Sequence, residues 1–190
     1  MQIMDIYFIL AQCAGAVALI LTIIGIQFGK KDKIILFYFF ADVFLVIEFF
    51  LLGSIAGALM NLVSTLRCFI YYTYDKHKLK TPFATMIMFE IATIATGVIF
   101  WQNIWSLIII IANLTYNYGT WQENVLILKI TAFIQSSCWI IYDLISKAYV
   151  SMLQECFLVI ATLIAIIVIL HHILIEKKQN KIKNKNSLIS

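Results

Sequence analysis

Long apolar stretches, separated by short polar breaks, run through nearly the whole chain. A helix needs about 20 apolar residues to cross the hydrocarbon core of a bilayer, and most of these stretches are close to that length. The pattern predicts seven crossings, at residues 7–28, 34–52, 54–74, 83–101, 104–118, 124–144 and 149–175. The breaks between them are too short to hold a folded domain outside the membrane.

The composition supports lipid as the main solvent. Of the 190 residues, 63% are hydrophobic and 13% are charged, whereas a soluble domain carries about 25% charged residues. The first apolar run has no basic segment before it and no cleavage site after it, so it is predicted to be a retained helix and not a signal peptide. All four cysteines fall in apolar runs without a CxxC pair, which is typical of small buried side chains.

The lysine distribution predicts the orientation of the chain. With seven crossings, the breaks after the first, third and fifth helices share a side with the C-terminus. Eleven lysines lie on that side and one, Lys147, lies on the other. Because lysine and arginine accumulate in cytoplasmic loops, the N-terminus is predicted to be outside and the C-terminus cytoplasmic. An even number of helices would separate the lysine-rich breaks from the lysine-rich tail.

Two stretches, starting at Phe28 and at Tyr118, share a layout. Each has an aromatic-Gly pair, a polar turn, an apolar helix, a very short turn and a helix with one polar residue about two turns in, Asn61 or Glu155. A repeat would divide the chain into a three-helix bundle (1–75), a linker helix (76–103), a second bundle (104–175) and a basic tail (176–190). Such parallel repeats place a solute path on their shared axis. The alternative is two unrelated hydrophobic hairpins.

Three segments carry a family resemblance: AQCAGAVALI (11–20), FFLLGSIAGALMNL (49–62) and WIIYDLISKAYVSMLQECFL (139–158). They resemble the YgjV-type bacterial inner-membrane proteins, within the SWEET/PQ-loop/MtN3-like transporter superfamily. The resemblance implies an all-α membrane fold of seven transmembrane helices, with two parallel three-helix bundles joined by a linker helix (3+1+3). It also implies that Asn61 and Glu155 are paired polar positions of the kind that contact solute in SWEET relatives. The first and fifth helices lack proline, so a proline-hinged rocking motion is not expected.

Ionisable residues inside a bilayer cost about 2.5–3.5 kcal/mol each on insertion scales and therefore need a partner or a wet cavity. On the cytoplasmic half, Arg67 is predicted to pair with Asp42 or Glu90, either as a charged gate or as a structural ion pair. On the outer half, five polar residues could line one cavity or could instead bond neighbouring helices: Glu48, Asn61, Gln135, Gln154 and Glu155. Two carboxylates in one such cavity would suit proton-coupled uptake or a cationic or polar solute.

Two further pairs of polar residues are considered. Asn113 and Asn117 lie one turn apart on the fifth helix, where they either contact solute or bond neighbouring helices. Asp143 and Lys147, at a short turn, are expected to form a solvated local pair.

The function predicted is a small-solute transporter or facilitator of the bacterial inner membrane. The substrate-binding candidates are Asn61, Glu155, Glu48, Asn113 and Arg67. The alternative is a membrane receptor or assembly subunit that binds without translocating. Since the chain has no phosphate-binding Gly-rich loop, HExxH or Ser–His–Asp pattern, no enzyme activity, cofactor or metal site is expected. The expected partners are the bilayer and an unidentified small polar solute, with no nucleic acid; a homo-oligomer is left open.

Overall fold

The computed structural model describes residues 2–26, 31–101, 103–122 and 124–187. These residues form seven helices, which confirms the prediction of an all-α chain with seven helical segments. The helices are α1 (Gln2–Ile26), α2 (Lys31–Leu51), α3 (Ile55–Lys76), α4 (Phe83–Ile99), α5 (Ser106–Trp121), α6 (Val125–Ser146) and α7 (Tyr149–Ser187).

Several of these helices are long and apolar enough to cross a bilayer. Among the described residues, four segments meet that requirement by length and composition: Asp5–Gly25, Ile55–Lys76, Val125–Ser146 and Tyr149–Glu176. Phe83–Ile99 is a shorter apolar helix. Pro82 stands immediately before it in an extended conformation, where its missing N–H costs the helix nothing.

Helix α7 is longer than the sequence pattern predicted. The seventh predicted crossing ends at residue 175, whereas α7 continues to Ser187. The tail contains no glycine or proline to stop a helix. Lys30, one of the eleven lysines on the predicted cytoplasmic side, lies outside the described residues, as do the side chains of Lys31 and of the lysines in the tail.

The helices pack as two sets of neighbours, which we call the first triplet (α1–α3) and the second triplet (α5–α7). In the first, α2 packs against both α1 and α3; in the second, α6 packs against both α5 and α7. The sets meet where α1 contacts α7 and where α3 contacts α5, and α4 lies against α3 and α5. These contacts close six helices around a common centre, with α4 on the outside.

The turns that join α2 to α3 and α6 to α7 have the same backbone geometry. In the first, Gly53 has φ +73°, Ser54 N–H donates to Phe49 O at 2.9 Å, and Ala58 N–H donates to Ser54 O at 2.9 Å. In the second, Lys147 has φ +60°, and the Ala148–Asp143 and Met152–Ala148 bonds are each 2.9 Å. A residue in the left-handed region ends both helices. We call this end of the bundle the short-turn end and the opposite end the loop end.

Burial is distributed as expected for a protein in lipid. Large apolar side chains are exposed on the outer faces of the helices, for example Phe50 (70% exposed) and Ile99 (70%). Many polar side chains are buried inside, among them Glu48, Arg67, Asn113 and Asp143. A compact apolar cluster around Phe49, Met60, Ile109, Trp139 and Tyr142 holds the triplets together near the short-turn end.

Candidate functional site

A cavity of about 70 Å³ lies at the centre of the bundle. Both triplets contribute to its walls, from Thr22 on α1 to Leu158 on α7. Most of the lining residues are polar, and they include Asp42, Asn61, Asn113, Asp143 and Glu155. A polar cavity at the centre of helices with apolar outer faces is the candidate site.

On the first-triplet side, Asn61, Ser64 and Asp42 line the cavity and have protein partners. Asn61 Nδ2 donates to Gly57 O on its own helix at 3.0 Å. Asp42 Oδ2 accepts a hydrogen bond from Ser64 Oγ at 2.9 Å and a longer one from Cys68 Sγ at 3.5 Å. These bonds fix Asp42 and Asn61 on the wall formed by α2 and α3.

Arg67 lies directly behind this wall and is 2% exposed. Its Nη2 donates to Ser64 Oγ at 2.9 Å, so the guanidinium is linked to Asp42 through the Ser64 hydroxyl. The guanidinium carbon also lies 5.0 Å from the centroid of the Tyr116 ring, a cation–π distance. Of the two partners predicted for Arg67, the structure places Asp42 in this relay.

On the second-triplet side, acidic and amide side chains reach the cavity with fewer partners. Asp143 is 1% exposed and Gln154 is 4% exposed. Both carboxylate oxygens of Asp143 and the Oε1 of Gln154 are buried without a hydrogen-bond partner among the described residues. Glu155 lines the same wall beside Ser136. This wall therefore presents hydrogen-bond acceptors to the cavity.

Glu48 is buried just outside the cavity, where α1, α2 and α7 meet. Its Oε2 accepts a hydrogen bond from Ser151 Oγ, and Ser151 itself lines the cavity. A Cβ added at Gly15 would lie 2.7 Å from Glu48 Oε1, so α1 approaches this carboxylate closely because residue 15 is glycine. Glu48 Oε1 has no hydrogen-bond partner among the described residues.

The structure separates the two asparagines of α5. Asn113 lines the cavity, and its Nδ2 donates to Ile109 O on its own helix at 2.8 Å. Asn117 instead joins three helices: its Oδ1 accepts from Tyr71 Oη at 3.1 Å, and its Nδ2 donates to Met86 O at 3.1 Å. Asn113 is therefore a candidate for solute contact, whereas Asn117 connects α3, α4 and α5.

The two ends of the cavity differ. At the short-turn end, Phe49 and Trp139 line it and pack with Tyr142 at ring-centroid distances of 5.6–6.1 Å. Ser54 Oγ and Tyr142 Oη share a hydrogen bond of 2.8 Å there. At the loop end, Tyr38 and Tyr116 line both this cavity and a second one of about 120 Å³ that extends toward Lys129. We call Phe49, Trp139 and Tyr142 the aromatic plug.

Of the predicted substrate-binding residues, Asn61, Asn113 and Glu155 line the cavity. Glu48 and Arg67 lie behind the lining and reach it through serine hydroxyls. Gln135 and Gln154, considered with them, are also lining residues.

Sequence reasoning missed Asp143. The expected solvated pair with Lys147 is wrong, because Asp143 is buried whereas Lys147 is exposed at the turn. Phe49 lies four residues before Gly53, as Asp143 lies four residues before Lys147, and Phe49 is also buried. Comparing the two turns position by position would have indicated that residue 143 faces inward.

A family model described as a bacterial inner membrane protein, Imp-YgjV, matches residues 9–172. A comparison with curated proteins finds no match, and neither does a comparison with solved structures. The matched segment covers most of the chain and contains α2 to α6 completely, together with all the residues that line the central cavity. The chain therefore belongs to the YgjV family of bacterial inner membrane proteins.

Proposed function

We propose that this inner membrane protein is a transporter or facilitator that carries a small polar solute through its central cavity. The observation that carries the proposal is the cavity itself, a polar space enclosed by six helices whose outer faces are apolar. Burying so many polar groups inside a membrane protein is costly. A solute path accounts for that cost better than helix packing does, because several of these groups have no protein partner.

An internal repeat supports this proposal. Lys147 follows Gly53 by 94 positions, and the same shift relates Asn61 to Glu155. It also relates two close helix contacts: a Cβ at Gly25 would lie 2.9 Å from Phe37 Cβ, and a Cβ at Gly119 would overlap Thr131. One shift thus covers all three helices of each triplet, as a duplicated unit would require. It pairs Gly119 with Gly25 and not with Gly29 of the aromatic-Gly pair; Phe28 and Gly29 lie outside the described residues.

The proposed architecture is that of the SWEET and PQ-loop proteins, with bundles at 1–75 and 104–175 and α4 as the linker between them. The packing supports it, because the contact of α3 with α5 has its counterpart, under the same shift, in the contact of α7 with α1. Units in parallel orientation place a solute path on the axis between them. The proposed orientation, with the N-terminus outside, puts the short-turn end outside and the loop end in the cytoplasm.

The different ends of the cavity support alternating access. The aromatic plug and the Ser54–Tyr142 bond close the short-turn end, and Gln12 ties α1 to the second turn through Lys147 O at 3.2 Å and Val150 N at 3.1 Å. Toward the loop end, the second cavity continues from the first. We infer that the structure corresponds to a state closed to the outside, and that transport breaks the contacts of the short-turn end.

Uptake of a panel of polar metabolites into proteoliposomes tests the proposal. Asn61→Ala and Glu155→Gln are expected to reduce the uptake of the transported solute at least about tenfold, because both side chains line the cavity. Ser136→Ala and Ser137→Ala form a matched pair: Ser136 lines the cavity, whereas Ser137 bonds to Phe133 O on its own helix. Only the change at Ser136 should alter uptake.

The alternative of a membrane receptor or assembly subunit predicts a different result. A ligand would then raise the thermal stability of the purified protein, or a protein would copurify with it, and no solute would enter the vesicles faster than it enters empty ones. That outcome would refute transport. Neither proposal assigns a catalytic step to the chain.

A further inference from the structure

The unfilled hydrogen-bonding capacity around the cavity consists mainly of acceptors. Asp143 Oδ1, Asp143 Oδ2 and Gln154 Oε1 are buried and lack partners among the described residues, and both side chains line the cavity. Buried polar atoms are almost always hydrogen-bonded in folded proteins. A ligand that satisfies this wall must therefore bring hydrogen-bond donors.

The charge of the lining has the same sign. Three carboxylates line the cavity, Asp42, Asp143 and Glu155, and the lining contains no lysine, arginine or histidine. Arg67 is close but does not line the cavity: its Nη2 donates to Ser64 and its guanidinium lies over the Tyr116 ring. Its Nε is a buried donor without a partner among the described residues. A buried carboxylate needs a cation or hydrogen-bond donors to be stable in its ionised form. On the second-triplet wall, no described residue supplies a hydrogen-bond donor to the carboxylate of Asp143, and no cationic side chain lines the cavity.

Size and ligand geometry narrow the class of cation. A space of about 70 Å³ holds a few waters or a solute of a few non-hydrogen atoms. Among the described residues, no group of three or more His, Cys, Asp or Glu side chains is placed to hold a metal ion. An ammonium group offers three donors and a guanidinium five or more, and neither offers an acceptor.

We propose that the cavity binds a small organic cation with N–H donors, a primary ammonium or a guanidinium, through Asp143 and Glu155, with Gln154 as a further acceptor. This inference rests on the same cavity as the proposed transport function and names the class of its solute. The cation does not need to neutralise Asp42, because that carboxylate is bonded to Ser64 and linked through it to Arg67.

Guanidinium and urea form a matched pair of probes, because they have nearly the same size and planar shape, but urea is neutral and exposes an acceptor. The melting temperature of the full chain, purified in detergent, is measured with millimolar guanidinium chloride, ethylammonium chloride, urea or sodium chloride. The three salts are compared at equal ionic strength. The two organic cations are expected to raise the melting temperature saturably, and urea and sodium chloride are not. Uptake of the same probes into proteoliposomes is measured in parallel.

Variants locate the binding site. Asp143→Asn and Glu155→Gln are expected to raise the concentration of guanidinium needed for half-maximal stabilisation at least tenfold. Glu90→Gln is the matched control, because Glu90 is an acid on α4 that does not line the cavity. If Asp143→Asn does not yield folded protein, Gln154→Met removes an acceptor without changing charge and is expected to weaken guanidinium binding severalfold.

The outcomes separate this inference from the transport proposal. Stabilisation by cations without flux would support the ligand class and contradict transport. Uptake of urea or of a neutral or anionic metabolite, with no effect of either organic cation, would support transport and overturn the cation. Equal stabilisation by guanidinium and urea, or guanidinium binding unchanged in both Asp143→Asn and Glu155→Gln, would also overturn it.

Discussion

The two walls of the cavity differ in how their polar groups are satisfied. On the first-triplet wall, Asn61 bonds to Gly57 O and Asp42 is held by Ser64, which Arg67 also contacts. On the second-triplet wall, Asp143 and Gln154 have oxygens without partners among the described residues. The two short turns have the same backbone geometry, but the hydrogen bonding of the two walls differs.

This difference distinguishes buried polar groups that stabilise the packing from buried polar groups that are available to a ligand. Buried polar groups that are fully bonded contribute to a single rigid packing, whereas unbonded ones cost stability unless something else binds them. If the cavity binds a solute as proposed, the first wall is the fixed support and the second wall is the side on which the solute gains most hydrogen bonds. Four predictions break or sharpen this comparison, from the largest expected effect to the smallest.

The comparison requires both short turns to face the same side of the membrane, and labelling tests this in an all-or-none way. Leu52 and Lys147 line one pocket of about 460 Å³ at the short-turn end, and Lys78 is exposed at the loop end. In a background without native cysteines, Leu52→Cys and Lys147→Cys should both react with an impermeant maleimide added to spheroplasts. Lys78→Cys should react only after permeabilisation.

Labelling of Leu52→Cys and Lys147→Cys from opposite sides would end the parallel arrangement. That result would also contradict the proposed repeat, the proposed axis between the triplets and the proposal that both turns close the cavity on the outer side.

Arg67→Met should be the most destabilising single substitution on the first wall. It removes the guanidinium that bonds Ser64 and leaves Asp42 without a cation. Removing one partner of a buried charged network typically costs about 3–5 kcal/mol. On the second wall, Glu155→Gln should cost less than about 1 kcal/mol, because it neutralises a carboxylate with no cationic partner in the cavity lining. Reversible unfolding in mixed micelles measures both changes.

A double substitution shows whether the effect of Arg67→Met arises from this network. Arg67→Met combined with Asp42→Asn should recover part of the loss, since the uncompensated carboxylate is removed. Strictly additive losses would mean that Arg67 and Asp42 act independently.

Most of the fold could be predicted from the sequence because the apolar period and the polar breaks are strong local signals. Each predicted helix has its counterpart in the structure, and Gly53-Ser54 and Pro82 lie at helix boundaries as expected. The end of α7 could not be predicted, because a polar segment without glycine or proline can continue a helix or leave it. The hydrophobic pattern predicts which segments lie in lipid, but it does not predict where a polar helix ends.

The site was predicted in part, for a reason that Asn113 and Asn117 illustrate. Both are buried and one turn apart, yet one lines the cavity and the other joins three helices. A sequence places residues on a helix face, but only packing decides what that face meets. Asp143 was missed for the same reason. Its position close to a turn suggested exposure, but it lies on the helix face that points to the centre of the bundle.

The turns offer a matched test at smaller scale. Gly53 and Lys147 both adopt left-handed backbone conformations, and a Cβ at Gly53 would meet no atom within 4 Å. Gly53→Ala should therefore cost about 1 kcal/mol, all of it from backbone strain. Lys147→Gly should change the unfolding free energy by less than about 0.5 kcal/mol, since relief of strain is offset by greater freedom of the unfolded chain. Thermal unfolding of the two variants checks this, and a larger loss at Lys147 than at Gly53 would contradict it.

The smallest effect concerns the closure of the short-turn end. Tyr142→Phe removes the hydroxyl that bonds Ser54 at 2.8 Å and leaves the aromatic plug otherwise unchanged. Hydrogen bonds between membrane helices contribute about 0.6 kcal/mol on average, so the population of the open state relative to the closed state should rise about threefold. A cysteine replacing Ser136 in the cavity should then react about threefold faster with an impermeant reagent added outside.

Tyr71→Phe is the matched control for this measurement. It removes the same group from a tyrosine whose hydroxyl donates to Asn117 Oδ1 at 3.1 Å, away from the short-turn end. If the bond to Ser54 belongs to a gate, only Tyr142→Phe increases reactivity at position 136, although both variants lose a buried hydrogen bond. Equal acceleration in the two variants would mean that the cavity opens by general loosening of the bundle, and the closed end would then be a packing feature with no part in transport.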